Sequence, residues 1–244
     1  MKKYREDIYK YYSSNRVDDI IPKNLKGLKP RKPFFDYIIK NFFPKNRNSR
    51  IIEIGCGHGA FQYFIHKAGY KNSIGVDGSL EQVSGAKKLG IDSVVYGDLV
   101  EYIKRLENDT VDLLVAIDVI EHFTKEELSD LVKEMHRILK KDGLVITHQP
   151  NGDSIFSNGV IYGDLTHEMA FTQNSISQLF LSCGFGKIDS YEDRPVVHGV
   201  KSFIRLFLWK YIIRKIYIAI RIVETGWCDK GAIFSLNFVS IAKK

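Results

Sequence analysis

A chain of 244 residues, 44% hydrophobic and 27% charged, is long enough to bury one sizeable core, and these proportions exclude a disordered or fibrous polypeptide. Three well-separated cysteines (Cys56, Cys183, Cys228) exclude a disulfide framework or zinc knuckle and make a reducing cytoplasm the expected setting. Charge is uneven: residues 1–50 carry 14 Lys/Arg against 5 Asp/Glu, residues 51–194 carry 13 against 22, and residues 195–244 carry 9 against 2. Basic flanks around an acidic centre suit an anionic substrate or surface, but no Arg-rich or aromatic RNA-binding signature supports a nucleic-acid partner.

In chain order, residues 1–33 are polar and tyrosine-studded (Tyr4, Tyr9, Tyr11, Tyr12). They start with charged residues rather than a signal-peptide core and end in Lys29-Pro30-Arg31-Lys32-Pro33, so they read as a lid or linker before a domain over 34–244. Phe34, Phe35, Ile38, Ile39 and Phe42 predict a helix that Pro44 stops. The apolar run Ile51–Ile54 then leads into three glycines at alternate positions, Gly55, Gly57 and Gly59, followed by helical spacing at Phe61, Phe64, Ile65 and Ala68. This is a buried strand, a tight turn and a helix start, a place where a nucleotide-like cofactor approaches the backbone.

Strands are predicted near 50–54, 73–77, 93–96, 111–117, 143–148, 186–191 and 233–242. Helices are predicted near 59–68, 79–89, 99–106, 124–140 and 173–183. The alternation implies a parallel, doubly wound α/β sheet. The helix at 124–140 has a capping box (Thr124, Glu127), a core stripe and an expected end at Lys140-Lys141-Asp142-Gly143. Two insertions interrupt the pattern, at about 149–172 and 195–228. Within the second, the apolar run at 199–224 is broken by Lys201, Arg205, Lys210, Arg214, Lys215 and Arg221, too many charges to span a membrane. A basic amphipathic helix that covers the active site, dimerises or touches a membrane surface remains open.

The glycines alone leave the cofactor open, because Gly55-x-Gly57-x-x-Ala60 with Asp77 also fits a dinucleotide fingerprint. The neighbours narrow it: Glu53 before the first glycine, Gly75-Val-Asp77-Gly-Ser79, Gly97-Asp98, and Asp112-Leu-Leu-Val-Ala-Ile-Asp118-Val-Ile-Glu121-His122-Phe. Over roughly residues 50–190 this combination resembles the class I S-adenosylmethionine-dependent methyltransferases. The resemblance implies a seven-stranded sheet of order 3-2-1-4-5-7-6 with the last strand antiparallel. It also implies S-adenosylmethionine as cofactor and S-adenosylhomocysteine as product. It assigns the cofactor to Glu53, Gly55, Cys56, Gly57, Asp77, Gly78, Asp98, Leu99 and Asp118. Asp77 would hold the ribose, Asp98 and the Leu99 N–H the adenine, and Gly55 and Gly57 the methionine moiety. Cys56 reads as a space-filling residue rather than a nucleophile, and Glu53 also as an orienter of the turn.

For a hydroxyl acceptor the protein must remove a proton while the donor is aligned, and histidine is the natural base. His167 is the first candidate with Asp164 to orient it, His122 the second. Segment 162–172 resembles the Asp-x-Thr-His loop of methyltransferases found with capsule or O-antigen genes. Tyr162, Asn151 and His148 are candidate substrate contacts. No metal is expected, since Asp118, Asp164 and His167 match no compact ligand spacing. The expected acceptor is a small molecule or glycan precursor, anionic to suit the basic flanks. The Ile120-Glu-His-Phe segment also resembles quinone-biosynthesis O-methyltransferases, with lipophilic acceptors. A non-catalytic cofactor-binding scaffold and an NAD dehydrogenase are the rival readings.

Overall fold

A computed structural model describes residues 7, 8, 11 and 21–244. The lid expected over 1–33 therefore lies largely outside the described residues, and only 7, 8, 11 and 21–33 bear on it. There Leu25–Arg31 winds as a 3-10 turn capped by the Asn24 side chain.

The elements, in order, are α1 (Lys32–Phe42), β1 (Ile51–Ile54), α2 (Ala60–Lys67), β2 (Ser73–Asp77), α3 (Leu80–Lys88), β3 (Val94–Tyr96), α4 (Leu99–Lys104) and β4 (Val111–Ile117). There follow α5 (Lys125–Ile138), β5 (Leu139–Pro150), α6 (Ser157–Ile161), α7 (Gln173–Ser182), β6 (Lys187–Glu192), α8 (Val200–Leu208), α9 (Arg214–Thr225) and β7 (Asn237–Lys243). The seven strands form one sheet in the order β3-β2-β1-β4-β5-β7-β6. The first five pair in parallel, while β7 runs antiparallel to both β5 and β6. Fold class and strand order are those expected from the sequence.

Strand side chains alternate between faces, and a sheet covered on both sides must be apolar on both. Accordingly Ile52, Ile54, Leu114 and Ala116 pack with α4, α5 and α7 through Ile103, Leu128, Leu131, Met135, Ile176 and Phe180. Ile51, Leu113, Val115 and Ile117 pack with α1, α2 and α3 through Phe35, Ile38, Phe61, Ile65, Val83 and Ala86. The predicted capping box forms: the Glu127 N–H donates to Thr124 Oγ1 and the Thr124 N–H to Glu127 Oε2. The helix ends two residues earlier than expected, because Leu139 is already extended and starts β5. Lys140, read as a helix-end residue, instead places its ammonium 2.9 Å from both oxygens of Asp112 on the neighbouring strand.

The second insertion is helical. Val200–Leu208 passes through a π-helical turn, Trp209–Ile213, into Arg214–Thr225. Ser202 is the only buried residue along it, while Phe203, Phe207, Tyr211 and Val223 are at least half exposed. Trp209 and Tyr217 turn inward, onto Glu192 and Phe234, while the more exposed apolar side chains of this basic segment face outward.

Candidate active site

The turn after β1 is held by the next strand: the N–H groups of Gly55 and Cys56 both donate to the carbonyl of Val76. Gly55 takes φ +64°, a conformation that side chains resist, and a Cβ there would lie 2.4 Å from Val119 Cγ2. Gly57 has φ +54°, a Cβ there would touch only the Gln82 side chain, at 3.6 Å, and the residue lines the cleft. Its N–H donates to Asp77 Oδ2 at 2.7 Å, and the Ser79 N–H donates to Asp77 Oδ1 at 2.8 Å. A carboxylate has about four acceptor positions, so two of Asp77's remain for a diol. Burial pushes this carboxyl upward, against the pull of the two amide donors.

These groups line a cleft of about 2090 Å³ at the carboxyl ends of the strands, where open parallel sheets bind ligands. Gly78, Asp98 and Leu99 line it too. Asp98 Oδ1 caps α4 by accepting from Val100 and Glu101, and its Oδ2 has no partner among the described residues. Glu53 is buried and accepts from Gln62 Nε2 at 2.8 Å, while Gln62 Oε1 accepts from Ser73. Burial pushes the Glu53 carboxyl up to about 8, with the Gln62 donor opposing. Cys56 is buried, and burial with the Glu53 and Asp77 charges drives its thiol up, as suits a filler. The carboxylates of Asp77, Asp98, Asp118 and Asp164 border the cleft and favour a cation within it, while burial pushes the Glu53 and Glu121 carboxyls up toward their neutral forms.

The other wall is made at the ends of β4 and β5. Asp118, just past β4, has φ +56° and donates its N–H to the His148 carbonyl. Its Oδ1 lies 2.5 Å from His148 Nδ1 and its Oδ2 3.4 Å from the Arg31 guanidinium. His148 Nε2 reaches Asp193 Oδ2 at 3.3 Å. Burial opposes both charges, but the imidazolium and Arg31 hold Asp118 below the usual carboxylate range. Asp118 and Asp193 in turn hold His148 above the usual imidazole range. Arg31 also stacks over Phe35, and the Phe34 ring meets the edge of His148, so the start of α1 covers this corner.

Beyond it, Ile120–His122 forms a 3-10 turn, and the loop before α7 folds back onto it. The N–H groups of Glu168 and Met169 donate to the Glu121 carbonyl. Thr166 donates its hydroxyl to Asp164 Oδ1 at 2.6 Å, which makes Thr166 Oγ1 the acceptor for His122 Nδ1–H at 2.8 Å. His167 Nδ1–H donates to the Val160 carbonyl at 2.9 Å. Both rings are therefore locked with Nδ1 as donor and Nε2 as the accepting nitrogen, 4.7 Å apart between centroids. Burial and His167 hold His122 down to about 4, so it is neutral near pH 7. Glu121 is 1% exposed, and Oε2 of its carboxyl has no hydrogen-bond partner among the described residues.

The structure thus brings together His122, Asp164, His167 and every expected cofactor residue on one cleft. The three expected substrate contacts are placed differently. His148 has both ring nitrogens engaged by carboxylates. Asn151 is buried and ties the loop to the approach to β7, donating to the carbonyls of Ile233 and Ser235 and accepting from the Asp153 N–H. Tyr162 is 81% exposed and is not among the residues that line the cleft. Sequence reasoning passed over Arg31, Gln62, Glu121 and Thr166. Glu121 beside His122 was the one local signal; the others meet their partners only through the fold.

Residues 52–147 match the model of a family described as a methyltransferase domain. The chain is 24% identical over 195 residues to the tRNA N(3)-cytidine methyltransferase METTL2 of Bos taurus, which covers 70% of this chain and 52% of that protein. It is 26% identical over 114 residues to the uncharacterized methyltransferase OB1106 of Oceanobacillus iheyensis, covering 46% of this chain and 50% of that one. The chain spans about half the length, or less, of the curated relatives it matches. Among solved structures, a SAM-dependent methyltransferase from Archaeoglobus fulgidus superposes with a TM-score of 0.65 at 20% identity, over 98% of this chain and 99% of that one. Phosphoethanolamine N-methyltransferase 2 of Haemonchus contortus, in complex with S-adenosyl-L-methionine, gives a TM-score of 0.62 at 17% identity over 97% and 60%. These likenesses show the fold.

Proposed function

We propose that the chain, whose residues 52–147 match a methyltransferase-domain model on a class I fold, uses S-adenosylmethionine to methylate a hydroxyl oxygen of a small molecule or glycan precursor. The residues fit the cofactor: two lone-pair positions of Asp77 suit the ribose diol, Asp98 Oδ2 suits an amino group, and the side-chain-free backbone at Gly57 lines the cleft. When bound, S-adenosylmethionine supplies a methyl group already activated on a sulfonium. The chain's part is to align an acceptor and handle its proton.

The observation that carries the reading is the His122–His167 pair, each ring fixed with Nε2 as acceptor beside the cofactor's crevice. Burial and its neighbour keep His122 near 4, a poor proton acceptor at neutral pH, and the role of base is assigned to His167. Asp164 acts through Thr166 on His122, and its carbonyl also accepts from the backbone N–H of His167, the residue it was expected to orient. The basic flanks support an anionic acceptor, such as a sugar phosphate or nucleotide-linked sugar used in surface-glycan synthesis.

A second reading, a lipophilic acceptor met at a membrane surface, is favoured by the outward apolar side chains of Phe203, Phe207 and Tyr211 beside Lys201, Arg205 and Lys210. No helix among the described residues is long and apolar enough to cross a membrane. The same face would serve a homodimer. The deciding experiment is calorimetric titration with S-adenosylhomocysteine, then release of that product with nucleotide sugars, lipophilic alcohols in anionic vesicles, and tRNA. Binding with turnover on a hydroxyl acceptor is expected. NAD binding in its place, or methyl transfer to nitrogen or to tRNA, would overturn the proposal.

A further inference from the structure

We propose that Glu121, His122 and His167 form a binding site for one divalent transition-metal ion. The carboxylate and the two imidazoles each offer a ligand atom, and these atoms lie within 4.8 Å of one another. An ion at about 2.1 Å from each would draw them to roughly 3 Å spacing, a movement within side-chain rotation.

Three further observations point to a cation. First, metal-bound histidines donate their remaining ring N–H to an oxygen, which fixes ring orientation. His122 does this to Thr166, which in turn donates to Asp164, and His167 does it to the Val160 carbonyl. Second, Glu121 Oε2 is a buried carboxyl oxygen without a hydrogen-bond partner among the described residues. Leaving such a group unsatisfied is costly, and a metal ion would satisfy it. Third, the loop that carries His167 is stitched to the turn that carries the other two ligands, through the Glu168 and Met169 N–H groups on the Glu121 carbonyl. The three donors are thereby held together by backbone rather than by chance proximity.

All three residues line the cleft, so coordination positions open toward the acceptor. Two imidazoles and one carboxylate suit Mn²⁺, Fe²⁺, Co²⁺ or Zn²⁺ better than Mg²⁺ or Ca²⁺, which prefer all-oxygen sets.

The role of the ion deepens the methyl-transfer reading and rests on it; the site itself does not. A coordinated hydroxyl loses its proton to solvent more readily. Its oxygen then forms the bond to the methyl carbon as the carbon–sulfur bond breaks, the electron pair staying on sulfur. In that mode His122 and His167 serve as ligands while the metal makes the oxygen nucleophilic.

The test uses the full chain, stripped with chelator and titrated with Mn²⁺ under electron paramagnetic resonance. S-adenosylhomocysteine titration runs in parallel as the measure of an intact fold. One saturable site per chain is expected. Glu121→Gln and His167→Gln should each weaken it at least about tenfold while nucleoside affinity stays within a few-fold. Absence of a saturable site in the wild type, or unchanged Mn²⁺ affinity in both variants, overturns the proposal, and so does equal competition by Mg²⁺. If Mn²⁺ binds and the nucleoside does not, the methyl-transfer reading fails and the metal site stands.

Discussion

At the β1–β2–β3 end of the cleft, the groups proposed to meet the cofactor are backbone amides and strand-end carboxylates set by a short stretch of chain, with links of 20 residues from Gly57 to Asp77 and 24 from His58 to Gln82. At the β4–β5 end they are side chains that meet only in the folded state: Arg31 reaches Asp118 across 87 positions, His122 reaches Thr166 across 44. The first end depends on conformation, and most side-chain changes beside it should be absorbed. The second depends on a connected polar network, where loss of one member leaves another buried and unsatisfied. On the proposed reading, one end of the fold holds the cofactor and the other is left open to specialisation.

The contrast can be broken most sharply at Asp77. Asp77→Ala removes the carboxylate offered to the ribose and the anchor of two turn amides. With each charge-assisted hydrogen bond contributing about 1.5–3 kcal/mol, S-adenosylhomocysteine affinity should fall at least about a hundredfold by calorimetry. His167→Ala should instead lower turnover by about a hundredfold or more and leave that affinity within a few-fold; unchanged turnover would remove His167 from the chemistry. Gly55→Ala forces a Cβ to 2.4 Å from Val119 at φ +64° and should cost about 1–3 kcal/mol in denaturant unfolding. Adding Val119→Ala should recover part of that loss, since it removes the clash and leaves the strain.

His148→Gln sharpens the comparison through pH. In the folded protein His148 titrates near 10 rather than 6.5, and Asp118 near 2 rather than 3.8. The imidazolium's contribution is whole below 6.5 and fades as pH rises toward 10; the carboxylate's is whole above 3.8 and fades as pH falls toward 2. The variant should therefore lose about 2 kcal/mol between pH 4 and 6.5, and its melting temperature should converge with the parent's toward pH 10. The smallest effect belongs to Arg31→Ala. Its contact with Asp118 is half exposed, so nucleoside affinity should change less than about fivefold at low salt and hardly at all at 0.5 M.

Much of the cofactor end was legible in the sequence because its signals are local. Three alternate glycines after an apolar run, and acids at strand ends, specify a turn and its ligands without reference to distant residues. The alternation of strands and helices did the same for the sheet, and the resemblance supplied its order. The acceptor end was legible only as a list of histidines. Nothing near His148 reveals that Asp118 and Asp193 occupy both its nitrogens, and nothing near Asn151 reveals the carbonyls of Ile233 and Ser235. Lys140 likewise looked like the end of a helix because its partner, Asp112, lies on another strand.

The place of β7 has a consequence for how the chain assembles. Among the described residues β6 pairs with no strand except β7, and their Ser190–Ser240 hydroxyl contact spans 50 positions. Most of the segment between them is the long exposed helix, and the apolar burial that joins it to the core is confined to Ala232, Ile233 and Phe234 just before β7. Closing so long a loop is entropically slow, so this edge should be the last to gain protection in pulsed hydrogen exchange, after β1 to β5 have already formed.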